Sequence, residues 1–252
     1  MMDLLAAEAL EIGLNLNHDH LAAFELYYHE LAEWNQRFNL TTIIRYEDVQ
    51  IKHMLDSLTC ILAFPGHAAT DQVPNSVPLL QRDWELCCAD VGSGAGFPGI
   101  PLKILYPGLR LTLIESIHKK TVFLEHLVSV LQLDKVEILA VRAEDAGQHP
   151  DRRERYDLVL ARAVAGMSVL AEYCLPLLNV GGRWIAQKGE GIETELGAAR
   201  QAIHTLGGQV AALKSYRLPL VNDSRYLVAV DKVSRTPPQY PRRAGVPAKK
   251  PL

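Results

Sequence analysis

The sequence lacks any uncharged apolar run long enough to cross a bilayer, and its opening, MMDLLAAEALEIG, carries early acids where a secretory signal is basic. Cysteines are few: Cys60, Cys87, Cys88 and Cys174 show no C-x-x-C spacing and no nearby histidine pairing. A disulfide framework and a structural zinc site are thereby excluded, and a reduced, cytoplasmic protein with no metal and no membrane partner is expected. Basic residues are missing from the first stretch, where Asp3, Glu8, Glu11, Asp19, Glu25, Glu30 and Glu33 all precede Arg37. Acids are missing after Asp231, where Lys232, Arg235, Arg242, Arg243, Lys249 and Lys250 follow. A basic end on a chain of net charge −3 fits either a polyanionic partner contacted locally or a solubilising tail. With Pro237, Pro238, Pro241, Pro247 and Pro251, that tail is expected to form neither a helix nor a central strand.

What is present fits one globular core with appended elements: 252 residues, 48% hydrophobic and 22% charged. The most informative segment is DVGSGAGFPG (Asp90–Gly99), which follows the apolar run 86–89 and opens into a helical pattern carrying Ile100, Ile104 and Leu105. Glycines let a backbone turn sharply and lie flush against a ligand, so this turn is a candidate cofactor cradle. Gly92, Gly94 and Gly96 form one frame, and GAGFPG from Gly94 fits the dinucleotide pattern, so the turn alone does not choose a cofactor. Its surroundings do more: Asp90 ends the first strand, Glu115 ends the next, and Glu144 and Asp145 follow the third. Acids at three successive strand tips suit a ligand with an ammonium, a ribose and a sulfonium, such as S-adenosylmethionine. The competing reading is that these acids only cap helices.

Residues 1–63 read as a helical cap, with Leu21, Phe24, Tyr28, Leu31 and Trp34 on one face. Residues 64–84 read as a linker or loop, 85–234 as the core, and 235–252 as the tail. Alternating strand and helix patterns through the core predict parallel strands with crossover helices. The Gly181-Gly182 pair reads as the turn before a fifth strand, and the runs 209–218 and 225–233 as a closing antiparallel hairpin. The fold class expected is α/β, a Rossmann-like sheet of seven strands. Asn39 reads as a cap of the following helix, and His53 with Asp56 as a structural pair on one helical face.

Taken together, WNQRFNLT (34–41), KHMLDSL (52–58), DVGSGAGFPGIPLKI (90–104), RAED (142–145), ARAVA (161–165), Lys188-Gly189 and the ending from Tyr240 give a pattern that resembles the RsmG (GidB) family. These are small-subunit rRNA guanine-N7 methyltransferases, and the resemblance covers almost the whole chain. It implies a class I methyltransferase fold, S-adenosylmethionine as cofactor, and a guanine in the 530 loop of 16S rRNA, in the free RNA or a ribosomal subunit, as substrate. Carried over by position, it implies cofactor contacts from Gly92, Phe97, Glu115, Ser116, Ile117, Ala143, Glu144 and Arg162, beside Asp90, Gly94 and Gly96 of the turn itself. Arg142, Arg162 and Lys188 are candidates for holding phosphate or guanine O6. Guanine N7 has a free lone pair, so no general base is expected. Read without the family, Arg162 is an arginine paired to an acid, and Lys188 a surface ion pair. Loss of the tail is expected to weaken RNA binding and to leave cofactor binding alone.

Overall fold

The computed structural model describes residues 2–64, 86–221 and 224–252. The expected 64–84 loop therefore lies, Phe64 apart, outside the described residues. The N-terminal part is helical: α1 (Asp3–Glu11), α2 (His18–Phe38), α3 (Tyr46–Val49), a π-type turn at Gln50–Leu55, α4 (Asp56–Leu58) and a 3-10 turn at Thr59–Ala63. Helix α2 starts where the Asn17 side chain accepts from His20 N–H while His20 reaches back, a reciprocal cap. It buries Phe24, Tyr27 and Leu31. Asn39 does not cap the next helix: it is the left-handed C-cap of α2 at φ +48°, a conformation that asparagine tolerates better than most residues.

The core then runs β1 (Cys87–Val91), α5 (Gly99–Leu105), β2 (Arg110–Ile114), α6 (His118–Val130), β3 (Val136–Leu139), α7 (Ala143–Gln148), β4 (Tyr156–Arg162), α8 (Met167–Cys174), β5 (Leu178–Lys188), α9 (Ile192–Thr205), β6 (Gly208–Tyr216) and β7 (Arg225–Lys232). A last helical turn, α10, spans Val246–Lys249. The sheet has seven strands in the order β3-β2-β1-β4-β5-β7-β6. The first five are parallel, and β7 pairs antiparallel with both β5 and β6. The expected α/β sheet with its terminal hairpin is therefore present.

Side chains alternate between the two faces with the strand period of two. Leu158, Leu160, Ile185, Leu227 and Ala229 face a core shared with α1, α2, α5 and α6, whereas Val159, Ala161, Trp184, Ala186, Val228 and Val230 face α8 and α9. The N-terminal helices thus close one face of the sheet. Two further expectations are corrected. Gly181-Gly182 is not a turn ahead of the strand but an irregularity inside β5, whose pairing with β4 jumps from Tyr156↔Leu178 to Leu158↔Arg183, with Gly181 at φ +93°. The tail does form a helical turn, α10, because Pro247 sits in its first turn, where no intrahelical N–H bond is required. Among the described residues no helix is long and apolar enough to cross a membrane, and no cluster of His, Cys, Asp or Glu could hold a metal ion. All four cysteines are free.

Candidate functional site

The glycine-rich turn leaves the carboxyl end of β1, the position where open α/β sheets bind ligands. Gly92 and Ser93 donate to Ile114 O at 2.8 and 3.2 Å, fastening the turn to β2. Gly92 has φ +71°, and a Cβ there would lie 2.6 Å from Val164, so only bare backbone passes. From the other side Tyr27 of α2 donates its hydroxyl to Ala95 O at 2.5 Å. The N-terminal helices therefore hold the loop in place.

Asp90 lies behind this turn and does not line the cavity that Glu115 borders. It is fully buried, its Oδ2 accepts Gly99 N–H at 2.9 Å, and Oδ1 has no partner. Burial pushes its carboxyl up to about 7, against the Gly99 hydrogen bond that lowers it. Glu115 is placed differently. Its two oxygens accept Ile117 N–H at 2.8 Å and Gly94 N–H at 3.0 Å while Lys120 Nζ stands 3.8 Å away. Ile117 is the N-cap residue of α6, but that helix has no side-chain cap, so Glu115 does not cap it. Glu115 also lines a cavity of about 280 Å³. Gly92, Ser116, Ile117, Ala143 and Glu144, the positions for which the family resemblance implies cofactor contacts, line the same cavity, as does Arg142, expected to hold phosphate or guanine O6; Lys120, Ala163 and Tyr173, which the sequence did not single out, line it too. Asp145 lies on the exposed side of α7, outside this cavity. Gly94, Gly96 and Phe97 do not line it, although Gly94 donates its N–H to Glu115, which does.

A second cavity, of about 310 Å³, adjoins the first, and Ala163 borders both. Arg162 and Lys188 line it and do not line the first cavity. The guanidinium of Arg162 donates to Lys52 O at 3.2 Å, Asp56 Oδ2 at 3.1 Å and His53 Nδ1 at 3.2 Å, and lies 5.0 Å over the Phe97 ring. Phe97 stacks in turn with Tyr27 and His53. Arginine only donates, so Nδ1 of His53 is an acceptor, and Nε2 carries the proton toward Thr41 Oγ1 at 2.8 Å. Burial first and the Arg162 charge second lower His53 to about 3, which keeps the ring neutral. The other Asp56 oxygen accepts the Tyr216 hydroxyl at 2.6 Å. Arg162 is thus paired to an acid and faces a cavity at once. Lys188 pairs with Glu195 at 2.7 Å and donates to Ala165 O, the ion pair that its sequence also suggested. His53, Asp56 and Tyr216 were not singled out as functional. Their one legible signal was the His53 and Asp56 spacing, which the helical run of 46–63 turns toward Arg162.

A glycine turn after β1, an acid after β2 and this strand order define a class I S-adenosylmethionine-dependent methyltransferase. A solved 16S rRNA adenine-N1 methyltransferase from Catenulisporales acidiphilia has the same fold, with a TM-score of 0.52 at 14% identity over 66% of this chain and 94% of that one. The sequence profile of a family described as rRNA small subunit methyltransferase G matches residues 20–224. Two curated relatives called ribosomal RNA small subunit methyltransferase G are similar along their whole lengths. One, from Lactobacillus johnsonii, is 46% identical over 250 residues, 99% of each chain. The other, from Roseiflexus castenholzii, is 44% identical over 251 residues, 100% of each chain to the nearest per cent. The chain belongs to the rRNA small subunit methyltransferase G family and is an S-adenosylmethionine-dependent enzyme that methylates 16S rRNA. The alternative dinucleotide reading of the GAGFPG frame is set aside on this ground.

The residues of the first cavity fit that cofactor. An ionised carboxylate has about four acceptor positions. Glu115 uses two on backbone N–H groups, which leaves acceptor capacity for ribose hydroxyls. Ile117 leaves 44% of its surface exposed at the rim, an apolar support for a flat ring.

Proposed function

We propose that the enzyme transfers the methyl group to N7 of a guanine in the 530 loop of 16S rRNA, in the cytoplasm, by direct in-line attack without a general base. When bound, S-adenosylmethionine supplies an electrophilic methyl group on a positive sulfur. Glu115, Ser116, Ile117, Ala143 and Glu144 hold that donor in the first cavity, with Gly92 giving it bare backbone. The base enters the second cavity, so that its ring nitrogen meets the methyl group near Ala163, where the two cavities join. Catalysis is then mostly orientation.

One observation supports this reading above the others: each titratable side chain that could act as a base in the second cavity already faces a protein donor. His53 Nδ1 takes an Arg162 proton, the Asp56 carboxylate takes protons from Arg162 and Tyr216, and Glu195 is paired with Lys188. Such a pocket suits a nitrogen with a free lone pair, which needs no proton removed. Arg162 spends three of its five N–H groups on the protein and keeps two for guanine O6 or phosphate. Lys188 and Arg142 add charge on either side of the junction, Arg142 from the exposed cap of α7.

The test is methyl transfer from labelled cofactor to undermethylated 16S rRNA, offered as naked RNA and as small subunits, followed by mass mapping of the modified nucleoside. The expected product is 7-methylguanosine within the 530 loop. Methylation of an exocyclic amine, of N1, or of an adenine would overturn the proposal.

A further inference from the structure

The chain after β7 is a docked strap. Arg153, just past α7, donates to Thr236 O at 2.8 Å, Pro237 O at 3.2 Å and Tyr240 O at 2.6 Å. Gln148 donates to Pro241 O at 2.5 Å, and a Cβ on Gly147 would come within 2.9 Å of Pro241, so strap and α7 are in close contact. Arg242 then makes a two-pronged pair with Glu172 of α8, at 2.9 Å from Nε and 2.6 Å from Nη2, and its backbone N–H adds a third bond at 2.7 Å. Glu172 is fully buried, so this anchor is shielded from water. Three residues later Gly245 donates its N–H to Glu144 Oε1 at 2.8 Å.

Glu144 is the hinge of the argument. It is 3% exposed, and it separates the first cavity from the crevice beneath Pro241, Arg242 and Arg243, lining both. It also sits in the first turn of α7, directly after Arg142 and Ala143, which wall the same cavity.

We propose that the strap is a working part of the cofactor site: Gly245 through Glu144, and Arg242 through Glu172, are positioning residues that fix the Arg142–Glu144 wall, so that strap docking and cofactor binding are linked. The inference rests on the reading of the first cavity as the cofactor site. It reverses the expectation from sequence that losing the tail leaves cofactor binding alone. Linkage is reciprocal, so bound cofactor must also hold the strap down.

Two measurements on the full chain test this. S-adenosylhomocysteine binding by calorimetry is expected to weaken roughly 5- to 100-fold in Arg242→Met, the range of typical coupling between sites. Trypsin cleavage at the exposed Arg243 and Lys249 of the unaltered protein, followed by mass spectrometry of the C-terminal fragments, is expected to slow at least about fivefold with saturating S-adenosylhomocysteine. The second needs no variant to fold. Affinity within twofold of the unaltered chain, or cleavage indifferent to ligand, overturns the proposal. Glu115→Ala separates the two levels of inference. It is expected to abolish binding, and retained affinity in that variant would place the failure in the cavity assignment and not in the strap.

Discussion

His53 is held neutral by position. Its Nδ1 faces a permanent cation and its ring is buried against Phe97, so protonating it forfeits the Arg162 contact and places two cations side by side. With the folded value near 3 and the free one near 6.5, the unfolded chain binds this proton more tightly. The stability His53 contributes is therefore complete above about pH 6.5 and drains as pH falls toward 3, by up to about 1.4 kcal/mol per pH unit. Comparing thermal or urea unfolding of the unaltered protein and His53→Gln from pH 7 to pH 5 is expected to show the gap between them shrinking on the acid side. A constant gap would mean that the histidine titrates normally. At this scale the sequence was legible where a strand end fixes a residue's place, as with Glu115 after β2, and in the expectation that Arg162 pairs with an acid, though not in which acid. It was not legible for Asp90, whose place behind the turn depends on Gly99 N–H nine residues on, nor for Asp56 and Tyr216, which meet only through tertiary folding.

Among the elements, the turn between α9 and β6 carries a demand that no periodicity reveals. Gly207 has φ +85°, and a Cβ there would stand 2.2 Å from Ser234 O. Its own carbonyl accepts the N–H groups of Val233 and Ser234, so the turn clips the point where the strap departs from β7. Gly207→Ala combines a left-handed backbone penalty of about 1–2 kcal/mol with a backbone clash, and is expected to cost at least about 2 kcal/mol in urea unfolding. The strand and helix order of the core follows from its apolar runs, because each long element has a face to bury. Short elements escape that logic. Helix α7 is a single turn and a half whose residues resemble a strand's acidic end, and α10 begins in a stretch that its prolines mark as irregular. The glycine pair in β5 has the composition of a turn and lies at the break in register with β4, with paired residues, Leu178 and Arg183, on either side of it.

At the scale of the whole molecule, charge is sorted along the chain. Arg242 and Lys232 of the basic end are spent inside, on Glu172 and on the Leu175 carbonyl. Arg243, Lys249 and Lys250 remain exposed on the outer side of the strap. If these three meet RNA phosphates, changing all three to glutamine lowers the slope of log affinity against log salt by about two to three, roughly one per contact. A filter-binding titration with an unchanged slope would put the RNA path elsewhere. The sheet class and its closing pair were readable because alternating runs admit few topologies. The fate of the tail was not, because composition reports charge and proline and says nothing of partners as distant in sequence as Glu144 and Glu172. The threading of β7 between β5 and β6 has a further effect during synthesis. The strand made after all the others sits inside the sheet, so β6 finds no neighbour and both hydrophobic layers stay open until translation has passed residue 232. A growing chain on the ribosome thus holds an unfinished enzyme.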